Sequence, residues 1–252
     1  MNQRTFASHD NRAQALGNQR CRPCRLKRAI NFTALMLFVA SCATAPPTNR
    51  ERLKVVTDPA VYRQQVAHDP DKQLVDLATL GIPLQIHYAT DRNFMKRKLY
   101  PEARAFLRAP AARALVEVQR ELAPLGIGIK VWDAYRPYSI TEAMWEPIKN
   151  PDFVADPAFG SRHNRGAAVD LTLIFLNPGD TLAMPTPYDD FSKRARHDYE
   201  QLPPKVLEHR AQLRDAMMKH GFEPLPSEWW HYDFKGWERF ELLDLSFDDV
   251  TR

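Results

Sequence analysis

Two histidines and two carboxylates stand at spacings that suit metal chemistry. In the stretch SRHNRGAAVD, Ser161 to Asp170, a His and an Asp lie seven residues apart with a glycine and small residues between them. Farther along, in EWWH, Glu228 precedes His231 by three. Zinc takes imidazole nitrogen or carboxylate oxygen at about 2 Å, and three protein ligands leave a fourth position for water. His163, Asp170 and His231 would supply two nitrogens and one oxygen. The three cysteines, Cys21, Cys24 and Cys42, all fall in the first sixth of the chain, so a metal site in the body has to be built without thiolate. Taken singly, each residue has an ordinary reading. An Asp on an antiparallel strand is usually solvated, and a His after two Trp usually packs among aromatics.

The other histidines offer less. His9 lies near the N-terminus and His68 in a polar stretch, while His197, His209 and His220 sit in or beside charged helical segments and are expected to face solvent. His87 is expected to be a core histidine on a strand. The pair Cys21-Arg-Pro-Cys24 has no second pair at zinc-site spacing and is read as incidental.

Several elements must position these groups. LGIPLQIHYA alternates Ile82, Leu84 and Ile86 and is read as a strand. AARALVEVQRELAPLG places Leu115, Val118 and Leu122 at helical spacing, with Gly126 as the stop. IGIKVWDAYRP alternates Ile127, Ile129 and Val131, which puts Arg136 just past a strand end. YSITEAMWEPIKN reads as a short helix. AAVDLTLIFL predicts a strand with Val169, Leu171 and Leu173 on one face and Asp170, Thr172 and Ile174 on the other. PPKVLEHRAQLRDAMMKHGF is a helix with Pro at its start and Gly221 at its end. SEWWHYDF is a short aromatic strand. Strands alternating irregularly with helices, with no βαβ rhythm, predict an α+β fold: a single domain with a mostly antiparallel sheet and packed helices.

Composition bounds the rest. The chain has 252 residues, 44% hydrophobic and 26% charged, enough for one good-sized core. Its formal charge of +4 is misleading. Residues 1–28 carry seven basic residues and one acidic, a net +6, so the remainder is −2 and has no electrostatic footprint for nucleic acid. Arg25, Lys27 and Arg28 end a basic region, Ala29–Val39 is apolar but short for a membrane span, and Val39-Ala-Ser-Cys42 resembles a bacterial lipobox. This predicts a lipoprotein-type signal over 1–41, a lipid on Cys42 as the membrane anchor, a tether over 42–71 extended by its prolines, a single compact domain over 72–252, and a periplasmic, membrane-anchored location.

The motifs together are more specific than any residue alone. SRHNRGAAVD matches the Ser-x-His-x-x-Gly-x-Ala-x-Asp motif of the zinc D,D-peptidases of family M15, related to hedgehog domains, and EWWH matches their second motif. DAYRP at Asp133–Pro137 and YATDRNF at Tyr88–Phe94 look like further signatures of the VanX-type D-alanyl-D-alanine dipeptidases. The resemblance spans residues 75–234. It implies a hedgehog-like fold and one Zn²⁺ per chain on His163, Asp170 and His231. It implies Glu228 as general base, Arg136 as oxyanion stabiliser, and hydrolysis of the D-Ala-D-Ala dipeptide. It further implies that Ser161 and Asp189 hold the substrate ammonium, with Asp190 an alternative to Asp189, and that Tyr88 and Asn93 shape the pocket. A D,D- or L,D-carboxypeptidase acting on longer stem peptides is the alternative enzyme, and a zinc-containing module without activity the alternative class. One geometric demand follows. Residues three apart on a flat strand face opposite sides, so Glu228 must sit at a bend before regular pairing begins, where Pro226 and Ser227 stand.

Overall fold

The computed structural model describes residues 47–251. The expectations for the leader, Cys42 included, fall outside the described residues. Among the described residues no helix is long and apolar enough to cross a membrane.

Helices α1 (Asn49–Leu53) and α2 (Pro59–His68) stand where a tether was expected. They are part of the folded body. Val56 N donates to Leu242 O at 2.9 Å, and the hydroxyl of the buried Tyr62 accepts from Leu74 N at 2.8 Å. Arg50 pairs with both Glu142 and Asp244. The packed residues are too sparse here to make a periodic pattern, so composition alone reads the stretch as polar linker.

Strands β1 (Leu74–Asp76) and β2 (Phe106–Arg108) form a two-stranded antiparallel sheet that the sequence reading missed, each being only three residues long. Helix α3 (Ala109–Leu122) follows, with Leu115, Val118 and Leu122 buried as their spacing requires. Strand β3 (Ile127–Asp133), helix α4 (Tyr138–Ile148), strand β4 (Ala168–Phe175), helix α5 (Pro204–Lys219), and strands β5 (Phe222–Pro224) and β6 (His231–Phe234) complete the chain. The main sheet is antiparallel throughout, in the order β3-β4-β6-β5. Helices α3 and α5 pack on this sheet and on each other. Val131, Val169, Leu171, Leu173, Leu213 and Met217 are fully enclosed in the core. The fold is α+β, as expected.

Two expectations need correction. LGIPLQIHYA is not a strand. It makes one isolated parallel bridge, Leu84 to Val131, and then a 3-10 turn over His87–Ala89. Pro83 has no N–H to extend a ladder, and His87, expected in the core on a strand, is half-buried in that turn. His197 and His209 were expected to face solvent; both ring nitrogens of His197 are shut away from it, and His209 is buried, its Nδ1 2.9 Å from Ala183 O. It shares the stripe of α5 that carries Val206, Leu213 and Met217, so helical period places it inward despite the charged neighbours.

Candidate active site

Each ligand candidate owes its position to a different local device. His163 lies in a 3-10 turn, His163–Arg165, that ends at Gly166 with φ of +65°. A Cβ at Gly166 would stand 2.3 Å from Leu74 Cδ2, so the turn needs glycine both for its backbone angle and for room. The chain then enters β4, and Asp170 is its third residue. His231 opens β6 directly opposite Asp170 in the ladder. On the other edge of β4 a register shift between Val131 and Asp133 lets Asp133, rather than Trp132, take the place opposite Asp170. One cross-strand row thus carries Asp133, Asp170 and His231.

The three candidates converge. One atom from each of His163, Asp170 and His231 lies within 4.8 Å of the others. His163 Nε2 is 3.2 Å from His231 Nδ1, and Asp170 Oδ1 is 2.9 Å from His231 Nδ1 and 3.4 Å from His163 Nε2. The far nitrogens are occupied. His163 Nδ1 is 2.6 Å from Ala134 O, and His231 Nε2 is 2.9 Å from Asp233 Oδ1. With the far nitrogens donating, the neutral imidazoles turn lone pairs toward each other and toward a carboxylate oxygen. That arrangement calls for a cation. Without a metal a proton takes that cation's place on His231: burial opposes the charge, but Asp233 and Asp170 outweigh it and hold the imidazolium well above the ordinary histidine value. Burial likewise opposes ionisation of Asp170, and the two histidines reverse it, holding the carboxyl well below the usual range. The donor set and its geometry fit a divalent metal with nitrogen and oxygen ligands.

Glu228 sits in the turn before β6, its N–H donating to Leu225 O, and its carboxylate reaches within 4.0 Å of His231 Nδ1. The bend demanded by the spacing is present. Burial, reinforced by the nearby Asp170, raises the Glu228 carboxyl to about 7. This is a value suited to accepting and returning a proton near neutral pH.

Arg136 stands just past β3, as read from the sequence, but it is buried rather than paired at the surface. Its Nε and Nη2 donate to Asp133 Oδ2 at 3.1 and 2.7 Å, while Tyr100 donates to the other Asp133 oxygen at 2.7 Å. Its backbone N–H bonds His163 O, which locks the strand end to the first ligand's turn. Ser161 is buried, and its hydroxyl accepts from His163 N at 3.2 Å. Asn93 is also buried, but its amide is spent on the carbonyls of Thr90 and Arg97, so it shapes its own loop.

Tyr88, Arg136, Ser161, Asp189 and Glu228 line one cavity of about 590 Å³ together with the three ligand candidates. Asp189 has φ of +59°, a left-handed conformation uncommon outside glycine. Its carboxylate accepts from Tyr88 at 3.0 Å. Burial first, and Asp170 second, push its carboxyl well above the ordinary value. Asp190 instead caps Ser192 N at 2.8 Å. Both aspartates left open by the sequence line the cavity, but Asp189 is the one that bonds a cavity-lining phenol. Two further lining residues, Phe153 and Phe191, stack with ring centres 4.7 Å apart.

Sequence reasoning missed Asp233 and Tyr188. Asp233 was findable, since it follows His231 by two on a strand and must share its face. Tyr188, which donates to Asp170 Oδ2 at 2.7 Å, arrives from an irregular loop with no periodic signal.

Comparisons with known proteins identify the family. The family described as D-ala-D-ala dipeptidase (Peptidase_M15) matches residues 71–248. A D-alanyl-D-alanine dipeptidase of Escherichia coli K12 is 31% identical over 177 residues, covering 69% of this chain and 91% of that protein. One from Enterococcus faecalis is 30% identical over 190 residues, covering 68% and 90%. A solved structure of VanYB in complex with D-alanine-D-alanine overlaps at a TM-score of 0.35 and 16% identity, over 53% of this chain and 74% of that one, and carries no part of the assignment. The chain belongs to the D-Ala-D-Ala dipeptidase family of M15 peptidases.

Proposed function

We propose that this protein hydrolyses the D-alanyl-D-alanine dipeptide, with one zinc ion held by His163 Nε2, Asp170 Oδ1 and His231 Nδ1. The observation that carries the reading is the sharing of one cavity by the ligand cluster, Glu228, Arg136 and Asp189. When bound, zinc supplies Lewis acidity, which acidifies a water and polarises a carbonyl. Glu228 takes the proton from the attacking water and delivers it to the nitrogen of the leaving alanine as the C–N bond breaks. Arg136, with Nη1 not used by Asp133, stabilises the oxyanion of the tetrahedral species. Asp189, with Tyr88 beside it, receives the substrate ammonium, and Ser161 contributes a hydroxyl to the same pocket. The products are two molecules of D-alanine.

The half-buried Asp189 supports a dipeptide over a longer stem, because an acylated amine has no charge to offer it. Alanine release from free D-Ala-D-Ala, measured beside a pentapeptide stem, tests this; faster turnover of the stem would overturn it.

The exported, periplasmic location and the lipid on Cys42 belong to the same proposal, supported by the lipobox-like Val39–Cys42. Cys42→Ala protein that is still processed and membrane-bound like wild type would remove that part and leave the chemistry untouched.

A further inference from the structure

Asp170 has two carboxylate oxygens, and they meet different groups. Oδ1 faces the two imidazoles, at 2.9 Å from His231 Nδ1 and 3.4 Å from His163 Nε2. Oδ2 accepts from the Tyr188 hydroxyl at 2.7 Å. The strand backbone fixes where Asp170 starts, but a partial χ2 rotation would bring the second oxygen toward the imidazoles as well. The Tyr188 bond opposes that rotation.

The ring of Tyr188 is wedged in place. Its centre lies 4.9 Å from that of Trp132, 5.3 Å from His87 and 5.7 Å from Trp230, the last edge-on. The hydroxyl therefore arrives at Oδ2 from a rigid support. Tyr88 lies on its other side with the two hydroxyls 3.3 Å apart, and Tyr88 donates to Asp189. Asp170 and Asp189 thus each have their own phenol donor.

We propose that Tyr188 is a positioning residue that holds Asp170 as a one-oxygen metal ligand, with Oδ2 kept out of the coordination sphere. This rests on the metal-site reading above. Its consequence is a coordination position left open for water or substrate, where a carboxylate binding through both oxygens would occupy it. A hydrogen bond to a liganding carboxylate also orients it, and loss of such support typically lowers metal affinity about 10–100-fold.

Tyr188→Phe removes the hydroxyl and keeps the ring. Zinc affinity, measured by competition with a chromophoric chelator, is expected to fall about 10–100-fold. The cobalt(II)-substituted protein is expected to show weaker visible absorption than wild type, the signature of a higher coordination number. Tyr88→Phe, which removes the neighbouring phenol without touching Asp170, is expected to keep wild-type zinc affinity. The zinc-induced rise in melting temperature of each protein, taken against its own metal-free form, reads affinity even where the variant's baseline shifts. Tyr188→Phe with wild-type zinc affinity and an unchanged cobalt spectrum overturns the inference while leaving the metal site standing. A wild-type protein that takes up no zinc overturns both.

Discussion

His163, Asp170 and His231 are placed by turns and strands locked into the main sheet, whereas Tyr88, Asp189 and Ser161, which line the same cavity, come from turns and irregular loops. Asp170 and His231 face each other across the β4–β6 ladder, and the His163 ring is pinned to the carbonyl of Ala134 just beyond β3. A sheet ladder cannot shift by one residue without turning every side chain to the opposite face. The metal corner is therefore all-or-none. The loop-borne residues depend on single hydrogen bonds and one left-handed residue, Asp189. On the proposed function, Tyr88 and Asp189 would grade substrate affinity and size while the sheet-borne residues hold the metal; Ser161, bonded to His163 N, is tied to both.

The largest effect expected is from His163→Ala, which should lose both stoichiometric zinc and activity, read by metal analysis and alanine release. Glu228→Gln comes next. It should keep zinc and folding but lower turnover about 10²–10⁴-fold, since a positioned base contributes that much. Activity persisting in a zinc-loaded Glu228→Gln protein would falsify the assigned role. Arg136→Ala should lower kcat/KM about 10²–10³-fold while sparing zinc. It should also lower the melting temperature, because it strands the buried Asp133 carboxylate without its cation.

A gentler change probes the loop side. Asp189→Asn should raise KM for the dipeptide about 10–100-fold, from the loss of a charge-assisted contact worth roughly 1.5–3 kcal/mol, and leave zinc content as in wild type. If instead zinc were lost with it, the separation of the two corners would break down.

The smallest effect is on metal-free stability. The Glu228 carboxyl is raised from 4.5 to about 7, so the folded state favours the proton. Between those values the unfolded chain ionises while the folded one stays protonated, and stability falls as pH rises. Glu228→Gln should therefore match wild type in metal-free melting temperature below pH 4.5. It should gain on wild type between 4.5 and about 7, and keep a constant lead of several degrees above that.

Much of the fold was legible because it is periodic. Leu115, Val118 and Leu122 announced α3, and alternating apolar residues announced β3 and β4. What failed was short or aperiodic. The three-residue strands β1 and β2 leave no pattern to read, and α1 and α2 expose most of their residues. LGIPLQIHYA alternates like a strand yet makes only a bridge, since a proline interrupts its donors and pairing is decided by what lies alongside. His209 was misplaced because charged neighbours were weighed above helical phase.

The sequence by itself determined the kinds of atom available to the site. A body without cysteine, with His163, Asp170 and His231 set in specific motifs and a carboxylate three residues before the last, limits any metal centre there to nitrogen and oxygen ligands. Once the resemblance assigned Glu228 and His231 to one site, their spacing required the bend, because a flat strand would have turned the two side chains to opposite faces. Only the tertiary structure decided which nitrogen each histidine presents, which of two adjacent aspartates meets the Tyr88 phenol, and that one oxygen of Asp170 is turned from the histidines. Those choices depend on Ala134, Asp233, Tyr88 and Tyr188. Asp233 lies two residues from the histidine it orients; the other three are brought to their partners from distant parts of the chain. Contacts between distant segments are set by sheet register and loop packing, which no local pattern encodes.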